Sequence, residues 1–71
     1  MDGLAEQFGR NLAARRREAG FTQDRLAAET SMGRNTLTRW EQGHSLPRLD
    51  QTVTLARAID IQVRDLLYGI G

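Results

Sequence analysis

A short stretch of this chain combines side chains that can recognise hydrogen-bonding patterns on a flat surface. The residues that share one face of a helical wheel there are Arg34, Asn35, Thr38, Arg39 and Gln42. Arginine can donate two hydrogen bonds to guanine, asparagine can both donate to and accept from adenine, and a threonine methyl group can contact thymine. These residue types could read base edges in the major groove of DNA, although exposed helix faces are often polar without any such role.

The opposite side of the same predicted helix is apolar. Leu37 and Trp40 lie there, where a helix that packs on a core needs its anchors. Gly33 can cap the start of this helix, and Gly43 can end it. The helix, over about residues 34–42, is therefore expected to be anchored by one face and to present the other.

A shorter helix, over about residues 23–29, is predicted just before it, with the turn 30–32 between the two. Thr22 is the expected N-cap of this helix and Gln23 its first residue. Free backbone N–H groups at a helix start, together with a hydroxyl and an amide, can bind phosphate. One helix that holds the phosphate backbone beside one that reads bases favours DNA binding over a merely solvated polar face.

The other elements are also predicted to be helices, because apolar residues recur at spacings of three and four and no alternation typical of strands occurs. We expect them over about residues 4–19, 49–59 and 63–68, which makes an all-α chain of five helices. The residues expected to face inward on these three helices are Leu4, Ala5, Phe8, Leu12, Ala19, Val53, Leu55, Ala56, Ile59, Leu66 and Leu67.

Length and composition narrow the class of protein. The 71 residues are expected to form a single domain over 1–71, with a core of about 4–68. Asp2 stands where a signal peptide needs basic residues, and no apolar run approaches a membrane span, so we expect a cytoplasmic protein with no membrane contact. The net charge is only +1, and all 10 basic residues are arginine. Arginine suits phosphate and guanine, but a bias in codon usage explains its excess equally well.

Four short motifs resemble, in order and spacing, the lambda-repressor-like (Cro/XRE) helix-turn-helix family. They are Phe21-Thr22-Gln23-Asp24-Arg25-Leu26-Ala27, Arg39-Trp40-Glu41-Gln42-Gly43, Pro47-Arg48-Leu49 and Leu55-Ala56-Arg57-Ala58-Ile59. The resemblance covers about residues 8–67. It implies a compact five-helix fold in which the second and third helices form the helix-turn-helix.

The resemblance also implies which residues contact double-stranded DNA. The base-reading residues would be Arg34, Asn35, Thr38 and Arg39. The residues facing the sugar-phosphate backbone would be Thr22, Gln23, Gln42, His44, Ser45 and Arg48. Gln23 would contact phosphate and could also brace Arg34.

Further residues either follow the family pattern or depart from it. Arg16 would pair with Glu41 and tie the first helix to the end of the third, a structural role that we favour over contact with DNA. Ser31 stands where the family places glycine in the turn, and Asp60 where it places glycine or asparagine after the fourth helix. Arg15 lies within the apolar stripe of the first helix, so its stem is expected to pack while its head reaches solvent.

These observations predict a sequence-specific transcriptional regulator, a repressor or autoregulator that binds a palindromic operator as a homodimer. The residues expected at the dimer interface are Leu49, Ile61, Val63, Tyr68 and Ile70. Packing within the monomer is an equally good explanation for Leu49 and Val63. Two alternatives keep the same fold: an antitoxin whose DNA binding depends on a toxin protein, and a module that binds a separate protein partner.

Of the functional hypotheses, an enzyme is the one that the residues support least. The chain has no cysteine and no glycine-rich loop that could cradle phosphate, and its only histidine, His44, has no neighbouring metal ligands in sequence. We therefore expect neither a catalytic site nor a metal ion or other cofactor.

Overall fold

The computed structural model describes residues 3–70, and within that range it contains five helices and no strand. The helices are α1 Leu4–Glu18, α2 Gln23–Thr30, α3 Arg34–Glu41, α4 Leu49–Ala58 and α5 Val63–Leu66. The all-α, five-helix prediction is confirmed. None of these helices is long and apolar enough to cross a membrane. Met1, Asp2 and Gly71, which the expected domain includes, lie outside the described residues.

Every helix contributes to one apolar core. The largest fully buried side chains of the described range are Phe8, Leu12, Leu26, Leu37, Leu55 and Leu66. Helix α1 packs on α3 and α5, α2 packs on α3 and α4, and α4 packs on α5. Burial of each such side chain contributes about 1.5–3 kcal/mol. The core thus holds α3 through Leu37 and Trp40 and leaves its other face outward.

Three residues that we expected in the core are exposed instead. Leu4 is 51% exposed because it is the first residue of α1 and extends past the edge of the core. Ala19 is exposed because it is the C-cap of α1, where the helical path ends. Leu67 is 43% exposed because α5 ends at Leu66, earlier than predicted. A helical wheel gives the direction of a side chain but not how far the neighbouring helix extends.

Gly9 is buried where α1 crosses the end of α3, a contact that no sequence pattern indicated. A Cβ atom at this position would lie 2.5 Å from the carbonyl oxygen of Trp40 and 2.6 Å from that of Glu41. Real Cβ atoms do not approach backbone oxygen so closely, since that distance is far inside van der Waals contact. Only glycine lets the two helix backbones meet here, and this contact places α3.

Two non-glycine residues adopt the left-handed backbone conformation. Ser31, the C-cap of α2, has φ of 57°, and Asp60, which follows α4, has φ of 58°. Both stand where the sequence departs from the family's glycine or asparagine. The left-handed conformation costs a residue with a Cβ roughly 1–2 kcal/mol, so both turns form at some cost in stability.

Candidate nucleic-acid interface

Arg34, Asn35, Thr38 and Arg39, the residues of α3 expected to contact bases, form what is called below the reading face. This face points away from the core. Arg34, Asn35 and Arg39 are exposed, and Thr38 is half-buried. At the start of α2, the Thr22 hydroxyl oxygen accepts a hydrogen bond from the backbone N–H of Arg25 at 3.1 Å. This caps α2 as predicted, and the Thr22 hydroxyl hydrogen stays available to donate to an anion.

The end of α3 is joined to α1 by a buried ion pair. Arg16 donates to the carboxylate of Glu41 through Nε at 2.7 Å and through Nη2 at 3.0 Å. The two side chains are only 9% and 6% exposed. Arg16 also donates from Nη1 to the carbonyl oxygen of Phe21 at 2.9 Å, in the segment before α2. One guanidinium therefore holds α1, the start of α2 and the end of α3 together.

Gln23 extends this network onto the reading face. Its Nε2 donates to Oε1 of Glu41 at 3.0 Å, and its Oε1 accepts from the Thr38 hydroxyl at 3.3 Å. The expectation that Gln23 braces Arg34 is wrong, because both ends of the Gln23 amide are bound to the middle and end of α3, to Thr38 and Glu41. Thr38 is the expected base-reading residue that Gln23 positions. Its hydroxyl hydrogen is used internally, so its methyl group is the part best placed to contact a base.

Arg34 has a different partner, which the sequence did not indicate. Its Nε lies 3.2 Å from Oδ1 of Asp24, the second residue of α2, and the two side chains are 62% and 75% exposed. Arg39 forms no ion pair with any residue in the range 3–70. The reading face thus presents one arginine that is held by a carboxylate and one that is not. No sequence signal relates Asp24 to Arg34, because both are exposed and they lie on different helices.

The segment after α3 carries the remaining expected DNA contacts. The backbone N–H of His44 donates to the carbonyl oxygen of Arg39 at 3.0 Å, and that of Gly43 donates to Trp40 at 3.1 Å. Together with the positive φ of 80° at Gly43, these bonds form the Schellman motif that ends many helices. Gln42 and His44 are exposed and Ser45 is half-buried, so all three can be reached by a ligand that lies along the end of α3.

Arg48 lies further along, as the N-cap residue of α4. Its guanidinium holds the Asp50 carboxylate, with Nε 3.1 Å from Oδ1 and Nη2 3.4 Å from Oδ2. This hydrogen bond lowers the pKa of Asp50 below its ordinary value. Arg48 must give up this partner before it can bind a phosphate.

Several apolar side chains on and around α4 and α5 are exposed or half-buried. Leu49 and Tyr68 are each 76% exposed, whereas Ile61, Val63 and Ile70 are half-buried and pack on the core. A groove of about 230 Å³ opens beside Leu49. The residues that line it are Leu4, Phe8, Leu46, Pro47, Leu49, Thr52, Val63 and Leu67. Leu4, Leu46 and Leu67 are exposed members of this groove that the sequence analysis did not assign to an interface.

Two short helices joined by a tight turn, with the second exposing a polar, arginine-bearing face, define the helix-turn-helix class of DNA-binding domains. The chain belongs to this family: the family model described as "Helix-turn-helix domain" matches residues 7–67. Within residues 3–70, no group of three or more histidine, cysteine, aspartate or glutamate side chains is placed to hold a metal ion.

Solved structures of gene regulators have the same fold. The restriction-modification controller protein C.AhdI from Aeromonas hydrophila superposes with a TM-score of 0.83 at 31% identity, over 87% of this chain and 94% of that one. Two structures of the clp gene regulator ClgR from Corynebacterium glutamicum superpose at 25% identity over 92% of this chain. Their TM-scores are 0.88 and 0.86, over 69% and 84% of the ClgR chains. No curated protein matches the sequence. The resemblance to the lambda-repressor-like (Cro/XRE) family is confirmed, and the chain has the fold of a DNA-binding transcriptional regulator.

Proposed function

We propose that the protein is a sequence-specific transcriptional regulator, a repressor or autoregulator that binds a palindromic operator as a homodimer. The observation that most supports this proposal is that neighbouring helices hold α3, with its outward polar face, firmly in place. The close approach at Gly9, the buried pair of Arg16 with Glu41 and the bonds of Gln23 all act on this one helix. A helix that only covered a core would not need polar contacts from both α1 and α2 to fix the position of its last turn.

The exposed side chains of α3 supply the base contacts in this proposal. Arg34 and Arg39 can each donate a pair of hydrogen bonds to guanine, and Asn35 can pair with adenine. Thr38, whose hydroxyl is bound to Gln23, offers its methyl group to thymine. These contacts carry the sequence preference, since hydrogen bonds to phosphate do not distinguish bases.

The residues that flank α3 hold the sugar-phosphate backbone. They are Thr22, Gln23, Gln42, His44, Ser45 and Arg48. Gln23 uses one hydrogen of its amide on Glu41, which leaves the second for a phosphate oxygen. Arg48 exchanges the Asp50 carboxylate for phosphate. With a net charge of only +1, the protein depends on the placement of such donors rather than on overall attraction to DNA.

A second copy of the chain supplies the second half-site. Helix α3 has eight residues and can contact only a few base pairs. A site that short occurs too often in a genome to be recognised specifically. The proposed contact surface consists of Leu49, Ile61, Val63, Tyr68 and Ile70. Because α5 packs on α1 and α4 while α3 packs on α1 and α2, this surface can pair while the reading face stays open. The exposed leucines of the adjacent groove, Leu4, Leu46 and Leu67, extend it.

Selection of binding sites from random duplex DNA tests the proposal directly. We expect the purified full chain, at near-physiological salt, to enrich a palindrome with half-sites about 10 base pairs apart. Arg39→Ala should lose about 1–3 kcal/mol on that site and relax the preference at one position. Arg57→Ala, an exposed arginine in the last turn of α4, is the control with the same change in charge. If no sequence is enriched, the proposal is wrong, and a DNA-binding role that requires a partner protein becomes the better explanation.

A further inference from the structure

An ion pair joins the starts of the two helices of the helix-turn-helix. Nε of Arg34, the first residue of α3, lies 3.2 Å from Oδ1 of Asp24, the second residue of α2. The side chains are 62% and 75% exposed, and pairs so open to solvent contribute little to folding stability. Asp24 also stabilises the first turn of α2 through the helix dipole, but that interaction needs no arginine partner, so stability does not explain the pairing with Arg34.

The location of Asp24 makes the carboxylate unfavourable for DNA binding in general. It lies next to Gln23, the proposed phosphate contact, at a helix start that would otherwise attract phosphate. A negative charge there opposes every phosphate that approaches, whatever the base sequence. The carboxylate also pairs with Arg34, the first residue of α3, and so competes with phosphate for that side chain. Both effects lower the affinity for DNA of any sequence.

We propose that Asp24 is a positioning residue that sets the specificity of Arg34, a role that rests on the proposed DNA-binding function. Asp24 engages Nε of the guanidinium, and the terminal amino groups remain free to bind guanine O6 and N7. Restricting the orientation of the guanidinium reduces what must be ordered when it meets the correct base. A phosphate in the place of that base has to pull Arg34 away from Asp24 and to tolerate the carboxylate nearby.

Specificity is a difference between two affinities, so a group that penalises the wrong complex raises it as effectively as one that favours the right complex. Arg39 lies on the same face and forms no ion pair with the residues from 3 to 70. The two arginines therefore differ in their roles. Arg39 can turn to a phosphate as readily as to a base, whereas Arg34 is held in place for the base.

The test compares two substitutions that each raise the net charge by one. Asp24→Asn removes the carboxylate beside Arg34. Glu29→Gln is the matched control, because Glu29 also lies on α2 and pairs at 3.4 Å with an exposed arginine, Arg25. Binding of the full-length variants to the selected operator and to random duplex DNA is measured across a range of salt concentrations. Thermal unfolding is expected to shift by at most a few degrees in either variant, because both pairs are exposed and Asp24→Asn loses only the interaction of the carboxylate with the α2 dipole.

We expect Asp24→Asn to tighten binding to random DNA by roughly fivefold, the scale of one exposed ion pair. Operator affinity should change far less, because the relief from repulsion is offset there by the lost positioning of Arg34. The ratio of operator to random binding therefore falls by a similar factor. In a repeated selection, the base preference should broaden at the one position that Arg34→Ala abolishes. Asp24→Glu, which keeps the carboxylate, should recover most of the ratio, and Glu29→Gln should leave it unchanged.

Three results would overturn the role of Asp24 alone. They are an unchanged ratio in Asp24→Asn, equal tightening on operator and random DNA, and the same loss of ratio in Glu29→Gln. Each of them leaves the DNA-binding function intact, because the wild-type protein still selects a sequence. A wild-type protein that selects no sequence overturns the proposed sequence-specific binding by this protein alone, and the role of Asp24 with it.

Discussion

Asn11, in the middle of α1, binds the carbonyl oxygen of Tyr68 through Nδ2 at 2.8 Å. The same amide nitrogen donates to the carbonyl oxygen of Leu66 at 2.9 Å, and Oδ1 accepts from Gln7 at 3.0 Å. One side chain thus closes the turn after α5, which explains why this helix ends at Leu66. It also holds in place the segment that carries Tyr68, part of the proposed dimer surface.

Asn11→Ala is therefore expected to weaken both the fold and the proposed dimer. Loss of the hydrogen bonds to one partly buried and one exposed carbonyl group should cost about 1–2 kcal/mol of unfolding free energy. Sedimentation equilibrium should show weaker self-association, because Tyr68 is no longer held in place. Asn11→Asp should be more damaging, since it replaces the donor with a carboxylate that faces the same two carbonyl oxygens. Unchanged stability in Asn11→Asp would contradict the role assigned to this side chain.

Gly9→Ala adds only one methyl group, but it should destabilise the protein substantially. The added methyl would lie 2.5 Å from the Trp40 carbonyl oxygen, which forces α1 and α3 apart and costs at least about 1–3 kcal/mol. For a domain of this length each kcal/mol lowers Tm by about 4–8 °C, so thermal unfolding measures the effect readily.

Gly33→Ser is the control for this substitution. Gly33 has φ of −71° as the N-cap of α3, which has no side-chain cap bond. A Cβ there would meet only Thr36 Oγ1, at 3.5 Å. Serine is the better N-cap, and we expect it to raise stability by a few tenths of a kcal/mol. A Gly9→Ala protein with wild-type Tm would show that the two helices do not meet as closely as described.

Glu41→Ala should lower the free energy of unfolding more than any single substitution on the protein surface. It leaves the buried Arg16 guanidinium without its carboxylate, and breaking such a pair typically costs about 3–5 kcal/mol. Replacing both partners with apolar residues, as in Arg16→Met with Glu41→Leu, should recover much of the loss because no buried charge remains. Urea denaturation of the single and double variants measures the difference. A double variant no more stable than Glu41→Ala would show that the hydrogen bonds of this pair to Phe21 and Gln23 matter as much as its charges.

The sequence predicted much of this molecule, and its failures have physical causes. Local signals such as the Thr22 cap and the stop at Gly43 placed α1 to α4 to within about two residues. Among the contacts between distant segments, the pair of Arg16 with Glu41 was predicted through the family resemblance. The contact between Gly9 and Trp40 and the pair of Asp24 with Arg34 were missed. Periodicity gives the face on which a residue lies, but the approach of two backbones depends on the packing of the whole chain.

Gln23→Ala is expected to change both the strength and the sequence preference of DNA binding. The variant loses the proposed phosphate contact, which should weaken binding to operator and random DNA alike. It also removes the acceptor that holds the Thr38 hydroxyl at 3.3 Å, so the position read by Thr38 should tolerate more bases. Selection with Gln23→Ala and with Thr38→Ala separates these effects, because the two variants should relax the same position while only Gln23→Ala weakens binding to random DNA. Equal weakening with no change in preference would leave Gln23 as a phosphate contact only, and a different relaxed position would show that it acts on a residue other than Thr38.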